Sequence, residues 1–398
     1  MTMKLTSSID KDLYTIIAHC IRCGQCTYTR GSKYDLLCPM YKKGKFFAYS
    51  GGGIVQLARA LFEKVIDYSP SITNIVYRCT TCGVCEEMCG IITFPRKGVS
   101  PMDIGNLIKA ELVKRGLGPL PPHKRFYENI VKEHTPYDDC RHEERTAWMP
   151  PEIRREMPKK AEVLYFVGCT ASFREQDIAR SLINILRKAD VNFTVSRDEW
   201  CCGSPMYRTG QWDILRDLVK HNVEMIKKTG ASTVVFTCAG CYNTLKKHYP
   251  EWYEGELDVE MLHASEFVVK LIKDGRLSIK KPIEMNATYH DPCHLGRGVG
   301  VYEPPRELIK LISGLKFTEM ERSRENAFCC GAGGGVKGGL PDYALEIATE
   351  RVKEALKLGV DTLISTCPFC KRNLKDAAQA LKANIDIIDL VEILDKVT

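Results

Sequence analysis

The chain has 398 residues, enough for two or three domains with separate cores. Hydrophobic residues make up 44% and charged residues 27%, a globular composition, and no run approaches the ~18 uncharged apolar residues of a membrane helix. The formal charge of +7 comes from lysines and arginines interleaved with acids, which argues against a nucleic-acid module; the surplus suits bound anionic groups, an anionic substrate or an acidic partner.

The opening, residues 1–20, lacks the apolar core of a secretory signal. The expectation is a cytoplasmic protein that reaches the inner face of a membrane only through a partner. In that reducing setting, clustered cysteines read as metal or redox sites. Eighteen of the nineteen cysteines fall into three blocks.

The first block pairs Cys20-x-x-Cys23-x-x-Cys26, followed by Cys38-Pro39, with Cys79-x-x-Cys82-x-x-Cys85, followed by Cys89. This is two-cluster ferredoxin spacing, in which the fourth cysteine of each run ligates the other run's cluster. It predicts one set of Cys20, Cys23, Cys26 and Cys89 and another of Cys79, Cys82, Cys85 and Cys38. Two departures read as loop variation: eleven residues separate Cys26 from Cys38 instead of three, and Gly90 follows Cys89 where proline is usual. Gly51-Gly52-Gly53 begins an insertion whose residues 54–65 have helical periodicity, and a further helix is expected near 101–115. Residues 1–115 form this domain. Residues 116–160, rich in proline and charge, read as an extended linker.

Beyond it, short apolar runs alternate with amphipathic stretches. Strands are predicted at 162–167, 192–195, 233–237 and 257–262, and helices at 173–189, 211–228 and 241–249. A second copy has strands near 286–290, 316–320, 362–366 and 385–388, and helices near 305–313, 343–358 and 369–383. The fold class is thus an α+β, ferredoxin-like helical iron–sulfur domain followed by two duplicated α/β domains with largely parallel sheets, at 161–280 and 281–398.

Each copy carries one cysteine pattern. The first is Cys169, Cys201-Cys202-Gly203 and Cys238-x-x-Cys241; the second is Cys293, Cys329-Cys330-Gly331 and Cys367-x-x-Cys370, offset by 124 to 129 residues. Cys169, Cys238, Cys293 and Cys367 follow predicted strands, and open parallel sheets bind ligands beyond the carboxyl ends of their strands. Each repeat should therefore gather five thiols in one crevice. Zinc takes four ligands in a closed tetrahedron; five thiols with an adjacent Cys-Cys pair suit a multi-iron cluster better, with buried structural thiols as the remaining alternative.

The phrases YFVGCTAS, CCGSP, CAGCYNTL, YHDPCHLGR, CCGAGGG and CPFCKRNL resemble the paired cysteine-rich CCG domains of heterodisulfide reductases, here behind a two-cluster ferredoxin segment as in the D-type subunit of that family. The resemblance implies two cubane [4Fe-4S] clusters in the first domain and a non-cubane [4Fe-4S] cluster in each CCG domain. The first would be held by Cys169, Cys201, Cys202, Cys238 and Cys241, the second by Cys293, Cys329, Cys330, Cys367 and Cys370. It further implies reduction of the coenzyme M–coenzyme B disulfide to two thiols between them. The implied redox partner is a flavin-containing subunit or a membrane cytochrome b-like subunit. The alternative is a relay between a flavoprotein or dehydrogenase, as in electron-transfer flavoprotein, acyl-CoA or hydroxy-acid oxidation, and a membrane quinone.

His290 and His294 flank Cys293 and are candidate proton donors or anion-orienting groups, although a strand cap and a structural hydrogen bond explain them more simply. Lys337 is a candidate contact for a sulfonate, phosphate or carboxylate, or a solvated side chain. Gly333, Gly335 and Gly338 formally match G-x-G-x-x-G without the preceding strand that a dinucleotide site requires; close backbone approach explains them better. Cys140 is left over and needs no role. Trp200 is expected to shield the adjacent cluster site.

Overall fold

The computed structural model describes residues 11–30, 35–89 and 100–398. The opening ten residues and Gly90 lie outside the described residues.

The N-terminal segment is built from short helices, Lys11–Ala18, Pro39–Gly44, Gly51–Phe62, Pro70–Val76, Val84–Met88 and Pro101–Lys114. Proline opens several of them, where its missing N–H costs nothing. Ser50 and Ser100 cap two helices, their hydroxyls accepting from the amides of Gly53 and Asp103 at 2.9 and 3.1 Å. The triple glycine lets its helix touch the cysteine loops: a Cβ on Gly51 would sit 2.3 Å from that of Cys85, and the Gly52 amide donates to Cys26 Sγ at 3.2 Å.

Two parallel sheets follow. The first contains β1 (Val163–Phe166), β2 (Phe193–Thr194), β3 (Thr233–Phe236) and β4 (Glu260–His263); the second contains β5 (Met285–Tyr289), β6 (Leu315–Phe317), β7 (Thr362–Ser365) and β8 (Asp386–Asp389). Their orders, β2-β1-β3-β4 and β6-β5-β7-β8, are the same. The likeness extends to single bonds: the Tyr165 and Tyr289 hydroxyls bond those of Thr237 and Thr366 at 2.9 and 2.8 Å.

Alternation along each strand feeds two cores. Val163, Tyr165, Ala287 and Tyr289 face a core shared by both repeats, closed by helices Gln176–Lys188, Ala264–Lys273, Glu303–Leu311 and Leu390–Val397. Across it Lys188 pairs with Asp395 at 2.8 Å, and Lys371 reaches both Glu175 and Glu392 at 3.0 and 2.8 Å. The C-terminal helix thus packs on the first repeat as well as its own.

Residues 116–160, read from sequence as an extended linker, are folded. Helix Pro121–Glu133, a 3-10 turn at His142–Thr146 and helix Pro151–Glu156 occupy most of the segment. His123, Ile130, Arg145 and Trp148 within it are buried. Its prolines open helices instead of holding the chain extended.

Candidate functional site

Cys169, Cys238, Cys293 and Cys367 stand within four residues of the ends of β1, β3, β5 and β7, the central strands of the two sheets. The Cys-Cys pairs come from loops ahead of helices Ser204–Thr209 and Val336–Gly339. All ten thiols are buried and free.

They touch in sequence. In the first set Cys169 contacts Cys201, Cys201 contacts Cys202, Cys202 contacts Cys241, and Cys241 contacts Cys238. In the second, Cys293 contacts Cys329, Cys329 contacts Cys330, Cys330 lies 3.3 Å from Cys370, and Cys370 contacts Cys367. Cys238 meets Cys367, joining the sets. At the other end of the second set, Cys329 meets Cys82 of the N-terminal segment.

The N-terminal cysteines lie close to one another, and Cys26 neighbours thiols of both expected sets. Burial pushes the Cys26 thiol up to about 11, and the thiols beside it are Cys89, Cys20 and Cys23. Cys38 is surrounded by Cys82, Cys79 and Cys26, and Cys85 by Cys79, Cys26, Cys38 and Cys82. Burial raises thiols such as Cys26, Cys38 and Cys85, and cations answer at specific points. Hydrogen bonding from Cys329, with the Arg297 guanidinium nearby, holds Cys82 down to about 5. Cys201 and the buried Arg145, whose Nη2 lies 3.6 Å from the sulfur, hold Cys169 to about 6.

Arg145 donates to Glu199 Oε1 at 3.0 Å, and Glu199 also accepts from the amides of Val167 and Gly168 at 2.8 and 2.9 Å. Burial raises the Glu199 carboxyl to about 7. Arg297 gives its hydrogen bonds only to the carbonyls of Cys82, Glu325 and Ala327, and its Nη2 has no partner among the described residues. This half-buried guanidinium beside Cys82, Cys293 and Cys329 has no carboxylate in ion-pair contact among the described residues, and suits anionic sulfur groups. Thiolate-held iron–sulfur clusters supply that charge, so the residues present fit them.

The glycine-rich segment serves this contact. A Cβ on Gly334, at φ +69°, would lie 2.2 Å from the Cys79 carbonyl, and one on Gly333 would lie 2.4 Å from that of Thr80. Gly338 is equally closed by Phe126, which leaves no dinucleotide cradle.

His290 is fully buried; its Nδ1 accepts from Arg351 Nε at 3.1 Å. A ring nitrogen of His290 lies within 4.8 Å of the Cys330 and Cys370 sulfurs, and the ring hydrogen-bonds Cys330. His294 donates from Nε2 to the Thr81 carbonyl at 3.0 Å, and burial lowers it to about 3. Its one N–H is committed to a structural hydrogen bond, the simpler of the two readings that the sequence offers for it. Lys337 bonds Asn373 Oδ1 at 2.8 Å and pairs with Asp376, so its charge is matched within the protein.

Cys140 is buried away from both sets, beside Arg174 at 3.4 Å, and burial pushes it up to about 11. Trp200 is stacked between His134 and His221 at 3.7 and 3.6 Å, next to Cys201. Arg145, Glu199 and Arg297 carry no local sequence signal, because their partners are distant in the chain.

Nine of the ten repeat thiols, all but Cys329, line one cavity of about 310 Å³. Its remaining wall includes Phe126, Tyr137, Phe369 and Ala332.

Comparison with known proteins follows this organisation. A 4Fe-4S dicluster domain model matches residues 16–91, and a cysteine-rich CCG domain model matches residues 163–246 and 287–375. The D-type subunit of the dihydromethanophenazine:CoB–CoM heterodisulfide reductase of Methanosarcina acetivorans is 39% identical, over 98% of this chain and 97% of its own length. The chain belongs to this heterodisulfide reductase family. Membership places it among iron–sulfur oxidoreductases, and the relatives range further. A subunit of the fumarate reductase (CoM/CoB) of Methanothermobacter marburgensis is 34% identical over 94% of this chain and 71% of its own. The EtfAB:quinone oxidoreductase of Syntrophomonas wolfei is 28% identical over 97% of this chain and 58% of its own. The crystal structure of a hypothetical protein from Helicobacter pylori shares the fold, at TM-score 0.50 and 12% identity, over 88% of this chain and 68% of that one. Among the described residues no helix is long and apolar enough to cross a membrane.

Proposed function

We propose that this member of the heterodisulfide reductase family reduces the coenzyme M–coenzyme B disulfide, RSSR′ + 2e⁻ + 2H⁺ giving RSH and R′SH, in the cavity walled by its two thiol sets. The observation that carries this reading is the shared cavity: both sets face one space instead of two separate pockets. In the proposed assignment Cys20, Cys23, Cys26 and Cys89 hold one cubane cluster, and Cys79, Cys82, Cys85 and Cys38 the other. Cys169, Cys201, Cys202, Cys238 and Cys241 hold one non-cubane cluster, and Cys293, Cys329, Cys330, Cys367 and Cys370 its counterpart. Such clusters supply electrons one at a time and a soft metal for sulfur, so two facing one disulfide match its two-electron demand.

The chain's own residues do the rest. The Cys82–Cys329 contact supports electron arrival at the second repeat first. His290 sets its ring against Cys330 and Cys370 of the second set, while Arg145 lies against Cys169 in the first. The apolar wall of Phe126, Phe369 and Ala332 excludes water from the sulfurs. Electrons come from a flavin-containing subunit or a membrane cytochrome b-like subunit, and any membrane attachment runs through that partner.

The test is electron paramagnetic resonance on anaerobically purified protein, with iron and zinc quantified, before and after oxidation in the presence of coenzyme M thiol. About sixteen irons and a signal that appears only with thiol are expected. The same iron without that signal favours the second reading, a relay toward quinone, which draws on the likeness to the EtfAB:quinone oxidoreductase. About eight irons with zinc would overturn the assignment of the repeats.

A further inference from the structure

Reducing a disulfide to two thiols consumes two protons, and the thiol cavity has no carboxyl group to supply them. Its lining contains no aspartate or glutamate. The His294 N–H is given to the Thr81 carbonyl, the Lys337 charge is held by Asp376, and the Tyr137 hydroxyl is bonded to that of Thr170 at 3.0 Å. A second cavity, of about 480 Å³, lies behind one wall of the first, and Arg208, Cys293 and His294 line both. Its other walls bring together Asp103 of helix Pro101–Lys114, His248 and Glu251 of the first repeat and Arg297 of the second. Glu86 and Lys247, 3.9 Å apart, complete its charged groups.

Four of the residues lining this second cavity leave a buried polar atom without a partner among the described residues: Thr81 Oγ1, Asp103 Oδ1, Arg208 Nη1 and His248 Nε2. Unpaired polar atoms are costly to bury, and a polar space of this size holds water that bonds them. Two of the four groups can carry a proton. His248 ends a π-helical turn, Thr244–His248, a distortion that recurs at functional sites. It is 6% exposed and packs on the Tyr207 ring at 4.1 Å. Its Nδ1 donates to Glu251 Oε1 at 3.3 Å, which orients the ring and leaves Nε2 free. Asp103 accepts the Ser100 hydroxyl on Oδ2 at 3.0 Å and keeps Oδ1 free. Glu251 reaches the surface at one end of this series, and Arg208, 2% exposed, stands at the shared wall.

We propose that the second cavity is the proton inlet: Glu251 and His248 take protons from solvent, and His248 and Asp103 pass them through the water of the cavity, beside Arg208, to the sulfurs. The proposal rests on the disulfide-reductase reading above and adds the route of its protons. Two protons cross for each S–S bond broken, each leaving a relay group that solvent reprotonates, while the two electrons arrive separately. Arg208 orients water with its free N–H and releases no proton itself. The sulfurs can thus stay behind an apolar wall and still be protonated.

The test is turnover of the coenzyme M–coenzyme B disulfide by the anaerobic, cluster-loaded protein with reduced methyl viologen, across the pH range in which histidine changes charge, about 5 to 8. The variants are H248Q, E251Q and H248Q combined with D103N. The combined variant should lower kcat roughly 100-fold with KM unchanged, the low end of what a positioned proton donor contributes. Added imidazole should restore part of the rate lost in H248Q, with iron content and the rate of cluster reduction by dithionite at wild-type values. E251Q removes the carboxylate that favours protonated His248, so its turnover should fall at lower pH than that of the wild type. If the combined variant loses iron, this shift carries the comparison, and an unshifted E251Q profile overturns the proposal. Wild-type turnover by the combined variant at every pH overturns the proposal alone and puts proton entry at the mouth of the thiol cavity. Loss of turnover that imidazole leaves unrestored in H248Q also overturns it, making these side chains supports of the fold. No turnover by the wild type overturns the proposal together with the reductase reading.

Discussion

The thiols of Cys82 and Cys329 lie against each other across the boundary between the N-terminal segment and the second repeat. Around them Arg297 donates to the Cys82 carbonyl at 2.8 Å and His294 to that of Thr81 at 3.0 Å. Removing Cys82 should therefore disturb transfer between the two parts as well as one ligand set. Cys82→Ala is expected to lower bound iron by about a quarter, one cluster of four, and to slow reduction of the repeat centres by dithionite in stopped flow. An unchanged rate with the iron lost would mean that electrons reach the repeats by another path.

Glu199 and Arg145 form a buried pair, each 1% exposed. The carboxylate also satisfies two strand-end amides. Glu199→Ala leaves Arg145 Nη1 and both amides without their acceptor and should cost about 3–5 kcal/mol, read as a lower urea midpoint in the anaerobic protein. Glu199→Gln keeps an acceptor for the amides and should cost less.

Burial lowers the His123 imidazole to about 4, while its Nε2 bonds the Gly335 carbonyl at 2.8 Å. In the unfolded chain a histidine titrates near ~6.5, so between these values the unfolded state binds the extra proton. Stability is full above about pH 6.5, falls as pH drops by up to ~1.4 kcal/mol per unit, and levels off below about 4. Urea unfolding at several pH values should show this slope reduced in His123→Gln, which keeps an N–H donor.

Gly334 combines φ +69° with a Cβ position 2.2 Å from the Cys79 carbonyl. Gly334→Ala is strained by its backbone and pushes the glycine-rich segment off the cysteine loop. A loss greater than about 1 kcal/mol is expected, together with iron loss confined to the set containing Cys79. Alanine at Gly230, also at positive φ but with nothing within 4 Å, separates backbone strain from the clash.

The cysteine patterns make the site legible because the repeated motifs mark the thiols that meet, and the strands ahead of Cys169, Cys238, Cys293 and Cys367 are short apolar runs. What stays hidden depends on distant partners. Arg145 meets Glu199 54 residues later, and helix Leu390–Val397 packs on helix Gln176–Lys188 across the repeats. The folded segment at 116–160 escapes sequence reasoning for a different reason. Proline at the first helical turn, as at Pro121 and Pro151, produces the same composition as an extended connection.

The meeting of Cys238 and Cys367 gives the duplication a further consequence. Neither repeat is a vessel by itself; each supplies one side of it, and pulling them apart would leave two sulfur-lined faces open to water and dioxygen. Joining the halves in one polypeptide fixes their ratio at one to one and keeps the reactive sulfur inward from the moment of folding. The shielding of this sulfur is thus a property of the seam between the repeats, and loosening their shared core far from any cysteine should expose it.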